Sequence, residues 1–156
     1  MSGDAPLPGE IHSRYPVTLA WLGEKRGRIG SPDALPDIGI ASPPQFGGHA
    51  GEWSPEHMFV ASALACWMTT FVAIAGYSKL ELVAVEGGAE GEVAMDEEKR
   101  YRVSAIRLRP RVTVRREPDR DKALRLIQKA ESNCLVARSM RTPVTLEPEV
   151  VVATSG

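Results

Sequence analysis

The chain has 156 residues, a quarter of them charged, and a formal net charge of −1. That length suits one ordinary domain with its own core, and the balanced charge supplies no basic field of the kind that attracts nucleic acid or anionic membranes. Nucleic acid and membrane are therefore not expected partners, and two cysteines are too few for a disulfide scaffold.

Residues 1–13 are polar and rich in Pro and Gly, which predicts a flexible N-terminal arm, with residues 14–156 forming a single domain. The opening MSGDAPLPGEIHSRYP lacks the positive start and apolar core of a secretory signal, and lacks the Arg-rich amphipathic pattern of a transit peptide. The expected compartment is the reducing cytosol, where two cysteines serve as free thiols, metal ligands or redox groups rather than as a permanent bridge.

Tyr15–Trp21 alternates weakly and is expected as a strand, followed by a hairpin turn over Gly23-Glu24-Lys25-Arg26-Gly27 and a second strand at Arg28–Gly30. Between Ser31 and Gly51, Pro32, Pro36, Pro43, Pro44 and Gly47-Gly48 break any long element and leave room for one short strand near Asp37–Ala41. Ser54-Pro55-Glu56 marks a helix start, with Ser as N-cap, Pro at the first helical position and Glu where the helix dipole favours an anion. The helix is expected to run to about Ala75 and stop at Gly76. Its stretch from Met58 to Gly76 carries no charge, close to the lower limit for crossing a bilayer, yet it is built from Ala, Ser and Thr as much as from large apolar residues. A central helix buried on all sides by its own protein is the preferred reading.

Leu80–Met95 and Tyr101–Arg115 read as two long strands joined by the charged turn MDEEKR, and Pro110 implies an edge or a bulge in the second. Pro118-Asp119 opens a further helix with Ala123, Leu124, Ile127 and Ala130 on its apolar face. Asn133 is expected to cap a short helix over Cys134–Met140, and Val144–Val152 to close the sheet. This order of elements indicates an α+β fold.

Two cysteines, Cys66 on the apolar helix and Cys134 near a later helix start, carry the chemistry. A free Cys on an apolar helix is by default a small core residue. Mid-helix, Cys66 receives little from the helix N-terminus, so a reactive thiolate there requires a cation from elsewhere, whereas Cys134 lies beside free backbone N–H groups that favour a thiolate locally. Zinc requires more ligands than His12, His49 and His57 supply in recognisable spacing, and no phosphate-binding or dinucleotide fingerprint is present, so no cofactor is expected. Lys25, Arg26 and Arg28 in the first hairpin are the candidate cations, with Glu56 as the carboxylate that would hold one of them against the Cys66 sulfur. Glu56 and Cys66 lie ten residues apart, about 15 Å along one straight helix. If both serve one site, two chains must contribute, and a functional homodimer follows.

The segment S-P-E-H-M-F-V-A-S-A-L-A-C-W-M, Ser54–Met68, resembles the N-P-E-x-L-x-x-A-x-x-x-C segment of the osmotically inducible and organic hydroperoxide resistance (OsmC/Ohr) family, and Ala130–Cys134 resembles that family's second cysteine region. The resemblance implies an OsmC-like α+β fold, antiparallel strands around a long central helix in an intertwined homodimer, and thiol-dependent reduction of hydroperoxides. It implies that Cys66 is the peroxidatic cysteine, Cys134 the resolving cysteine, Glu56 the carboxylate and Arg26 the activating arginine. The implied reductant is an external dithiol, a lipoyl group in the Ohr branch, with no metal, flavin or haem. Ser54 in place of the family's more usual Asn, and Leu135 where the family often has Pro, are departures. The other classes weighed are a redox-sensing or small-molecule binding protein without fast turnover, and a structural dimer with inert cysteines.

Overall fold

Gly23 and Glu24, with φ of 99° and 48°, turn the chain from β1 (Thr18–Gly23) into β2 (Arg26–Ser31). In this computed structural model, which describes residues 5–154, β3 (Ala34–Ala41) completes a three-stranded antiparallel sheet in the order β1-β2-β3. Residues 1–4 of the expected arm lie outside the described residues. β3 is longer than expected. Its pairing with β2 shifts between Ile29 and Ser31, and Pro36 falls in that irregular stretch, where a missing N–H breaks no regular ladder bond. The Ala41 N–H then bonds the Trp53 carbonyl at 2.8 Å, tying the strand to the segment before the long helix. The sheet leaves large apolar side chains in the open, with Leu19 71% and Trp21 76% exposed.

The chain divides into two compact units between Pro55 and Glu56. The second holds nearly all of α1 (Pro55–Tyr77), the long central helix. Ala63, Trp67, Phe71 and Ala75 recur every fourth residue and form its buried face. Trp67 and Phe71 stack with ring centroids 5.1 Å apart. The opposite side is not covered: Met68 and Val72 are 41% and 42% exposed, and Ala65 and Ala73 are exposed as well. The expectation of burial on all sides is corrected here, because the residues of the second sheet, 82–152, and of the following helix, 120–132, cover only one face. The helix passes through Gly76 and ends two residues later than expected. Lys79 adopts a left-handed φ of 55°, its N–H bonds the Gly76 carbonyl, and the Leu80 N–H reaches back to Ala75 at 2.9 Å. This paired closure buries Leu80.

β4 (Leu82–Met95) and β5 (Tyr101–Val114) form a long antiparallel hairpin, with the Asp96 carboxylate accepting the N–H groups of Glu98 and Arg100 in the turn. The expected closing strand is two short ones, β6 (Val144–Leu146) and β7 (Glu149–Val152), split at Glu147-Pro148 and both parallel to β5. β5 is therefore interior, and the expectation that Pro110 marks an edge or bulge fails. Pro110 lies between the β6 and β7 pairings, where no N–H partner is called for, and faces Gly87 across the hairpin. Gly87 has φ 137°, and a Cβ there would sit 2.2 Å from the Arg109 carbonyl oxygen, so the close approach requires glycine.

A 3-10 turn at Glu117–Asp119 leads into α2 (Arg120–Ser132), which buries Ala123, Leu126, Ile127 and Ala130. Leu126 rather than Leu124 belongs to this face; Leu124 is 36% exposed. These side chains join Trp67, Phe71, Ile106, Leu108, Val112, Val114 and Val150 in one core cluster. Phe71→Ala should lower stability by about 3–5 kcal/mol, the cost of emptying a fully buried aromatic site. Urea unfolding would register this as a lower midpoint with an unchanged slope.

Candidate active site

Cys66 lies on α1 one residue before Trp67, and its half-buried sulfur faces the junction between α2 and α3 (Leu135–Arg138). Cys134 occupies the N-cap position of α3 and is buried, 1% exposed. The helix thus starts one residue later than expected, at Leu135, and Asn133 instead ends α2, its amide donating to the Lys129 carbonyl at 2.8 Å. Both thiols are free, and each acts on the ionisation of the other.

The two sulfurs ionise differently. Burial acts to raise the pKa of Cys66, but the Val136 N–H, the Cys134 thiol, the Thr70 hydroxyl and the Leu135 N–H all favour the thiolate, and the outcome lies below the ordinary thiol value. At Cys134 burial again acts upward and is opposed by the Ala137 and Val136 N–H groups, while the hydrogen bond and charge of Cys66 push in the same direction as burial, so the pKa is raised. This reverses the local reading of the sequence. The free N–H groups at the start of α3 are shared between the two sulfurs, those of Leu135 and Val136 acting on Cys66 and those of Ala137 and Val136 on Cys134.

The other expected site residues have settings of their own. The Arg26 guanidinium meets Glu52, Nε to Oε1 at 3.1 Å, and half its side chain is open. Lys25 donates to the Phe46 carbonyl at 2.9 Å, and Arg28 is exposed. Glu56 stands in the first turn of α1, and its Oε2 is buried without a hydrogen-bond partner. The continuous helix keeps Glu56 and Cys66 about 15 Å apart along its axis. His49 pairs with Glu24 at 3.1 Å, and His57 is exposed. Among the described residues no group of three or more His, Cys, Asp or Glu is arranged to hold a metal ion. Thr70 is the site residue that sequence reasoning missed. Its signal was available, since position i+4 of a helix lies over position i.

The OsmC-like protein family matches residues 48–149, a span that includes both cysteines. The chain belongs to the OsmC-like family. An uncharacterized protein, YmaD of Bacillus subtilis (strain 168), is 28% identical over 141 residues, 87% of this chain and 92% of its own length. Among solved structures, an OsmC-like protein of unknown function from Vibrio cholerae superposes with a TM-score of 0.79 at 20% identity, covering 87% of this chain and 99% of its own. An organic hydroperoxide resistance protein OsmC from Legionella pneumophila gives 0.69 at 21% identity over 91% of this chain and 99% of its own. The organic hydroperoxide resistance protein OhrB of Bacillus subtilis gives 0.65 at 23% identity over 88% and 98%. The fold is thus an OsmC-like one, with two antiparallel-strand units and a long central helix.

Leu135 stands at the first position of α3, where proline fits a helix, and Cys134 before it has extended dihedrals of −68° and 112° that a following proline accepts. Leu135→Pro should therefore fold normally while removing one N–H donor from the Cys66 sulfur. The pH profile of Cys66 alkylation should move to higher pH, and a profile coincident with the parent would show that this amide does not hold the thiolate.

Proposed function

We propose that the protein is a cysteine-based hydroperoxide reductase acting on organic hydroperoxides. The observation that carries this reading is the pairing of two neighbouring thiols shifted in opposite directions, Cys66 with a lowered pKa and Cys134 with a raised one. The family and the hydroperoxide resistance proteins among its structural neighbours support it.

In the proposed cycle the Cys66 thiolate attacks the terminal peroxide oxygen, the O–O bond breaks, and the departing alkoxide takes up a proton to leave as alcohol. Cys66 is now a sulfenic acid and carries no charge. The neighbouring negative charge that held the Cys134 pKa up is thereby gone, so oxidation of the first sulfur eases ionisation of the second. Cys134 attacks the sulfenic sulfur, water departs, and a disulfide remains. A dithiol of the lipoyl type restores both thiols by exchange and carries away two electrons as its own disulfide. The site would lie in the reducing cytosol, where such a dithiol is maintained.

The reading includes a homodimer. Support comes from apolar side chains left open on each unit: Met68 and Val72 on α1, and Leu19 and Trp21 on the three-stranded sheet. Glu56, with a buried and unpartnered carboxylate oxygen, is the group we assign to receive an arginine in that assembly, and Arg26 is the candidate. The separation of Glu56 from Cys66 along one helix is the reason two chains would share a site.

One equivalent of an alkyl hydroperoxide should remove two hydrogens from the wild-type mass, and Cys134→Ser should accumulate a trappable sulfenic acid instead. Cys66→Ser should abolish peroxide reduction, and unchanged reduction in that variant would remove the enzyme reading. Activity should also fall with dilution in step with dimer dissociation, measured by sedimentation; a fully active monomer would refute the shared site.

A further inference from the structure

We infer that Glu52 is a positioning residue for Arg26: its carboxylate holds the guanidinium, and the turn that carries it, in one preset orientation. This rests on the reading of Arg26 as the cation of the site. The contact is direct, Arg26 Nε to Glu52 Oε1 at 3.1 Å, with the two side chains 44% and 32% exposed.

Backbone pairing brings the two residues together. Arg26 opens β2 and stands across from Ala41, the last residue of β3. On the far side of β3 the Ala41 N–H bonds the Trp53 carbonyl at 2.8 Å, and Ile40 and Trp53 form a parallel bridge. Glu52, next to Trp53, is thereby set about two strand spacings from Arg26, a gap that an Arg and a Glu side chain span together. The neighbouring turn residues fasten the same stretch. Glu24 Oε2 meets His49 Nε2 at 3.1 Å, and Lys25 donates to the Phe46 carbonyl at 2.9 Å. The Lys25 carbonyl accepts the Ser42 N–H at 3.1 Å, and the Ser42 carbonyl accepts that of His49 at 2.8 Å. This approach requires Gly48, where a Cβ would stand 1.7 Å from the Ser42 carbonyl oxygen. Three successive side chains, Glu24, Lys25 and Arg26, thus each hold a different point of residues 46–52.

The arrangement separates three basic residues that the sequence leaves equivalent. Among the described residues Lys25 ends on a carbonyl oxygen, Arg28 is exposed, and Arg26 is the one aligned by a carboxylate. A long arginine side chain surrenders many rotamers when it is fixed, and a partner that fixes it beforehand removes that cost from the contact it makes next. The negative charge of Glu52 by itself opposes a nearby thiolate, so its contribution lies in the orientation it imposes.

The test uses the full chain carrying Cys134→Ser, which leaves Cys66 as the one thiol. Alkylation of Cys66 by iodoacetamide is followed against pH for this parent, for Glu52→Ala, for Arg26→Ala and for the double variant, with circular dichroism to verify folding. Glu52→Ala should move the midpoint to higher pH and slow alkylation at neutral pH by about two- to five-fold, the range an exposed ion pair supplies. Loss of a negative charge alone would move the midpoint the other way. In the Arg26→Ala background Glu52→Ala should change nothing further, whereas a merely structural role would persist there and overturn the inference. In parallel, the heteronuclear NOE of the Arg26 Nε–H should fall in Glu52→Ala. An unaltered NOE, or an alkylation profile coincident with the parent's, would overturn the positioning role. A lowered NOE combined with an Arg26→Ala profile equal to the parent's would overturn it by another route, since the reading of Arg26 itself would then have failed. Should Glu52→Ala fail to fold, Glu52→Gln keeps the shape, weakens the bond by removing its charge, and should move the midpoint in the same direction.

Discussion

Trp67 donates its indole N–H to the Ile127 carbonyl at 3.3 Å inside the core, joining α1 to α2 across a polar contact that water cannot replace. Were the two helices to slide, a buried donor would lose its partner at a cost of about 1–3 kcal/mol, in addition to the apolar packing lost around it. A second tie lies near the end of α1, where the Lys122 ammonium donates to the Ser78 carbonyl. Because Cys66 immediately precedes Trp67 and Cys134 follows soon after Ile127, a register fixed by core packing is also the register of the two sulfurs. The chemistry is thereby placed by residues that take no part in it.

The asymmetry of the thiols follows from the end of α2. That helix stops at Ser132, the chain turns through Asn133 and Cys134, and α3 begins with amides that no earlier turn can satisfy. Those amides face the sulfur of α1. The chain places Cys134 where burial raises its pKa and the charge of Cys66 raises it further. Two adjacent thiolates repel, and this geometry separates the ionisation of the two sulfurs.

Surface chemistry divides into two kinds. Across β4, β5 and the loop to β7, Arg107, Arg109 and Arg111 pair with Glu86, Glu90, Glu92, Glu147 and Glu149, a ladder of exposed ion pairs that adds solubility more than stability. The free side of α1 and the three-stranded sheet instead expose large apolar groups that water does not favour.

The sequence by itself determined the α+β class, the start of α1 at Ser54-Pro55-Glu56, and the long β4–β5 hairpin with its charged turn. Each is a local matter, decided by capping residues and alternation, and each survives in the structure. The placement of Pro110 in an interior strand was not legible, because it depends on where β6 ends and β7 begins, far along the chain. The choice of Leu126 over Leu124 for the buried face turned on the direction from which the sheet and α1 meet α2. The exposed side of α1 was illegible as well, since an evenly apolar helix gives no sign of how many neighbours it has. Above all, only the tertiary structure decided that the α3 amides are shared: the sequence places them beside Cys134, and folding brings Cys66 within their reach as well, because hydrogen bonds follow distance in space and not separation along the chain.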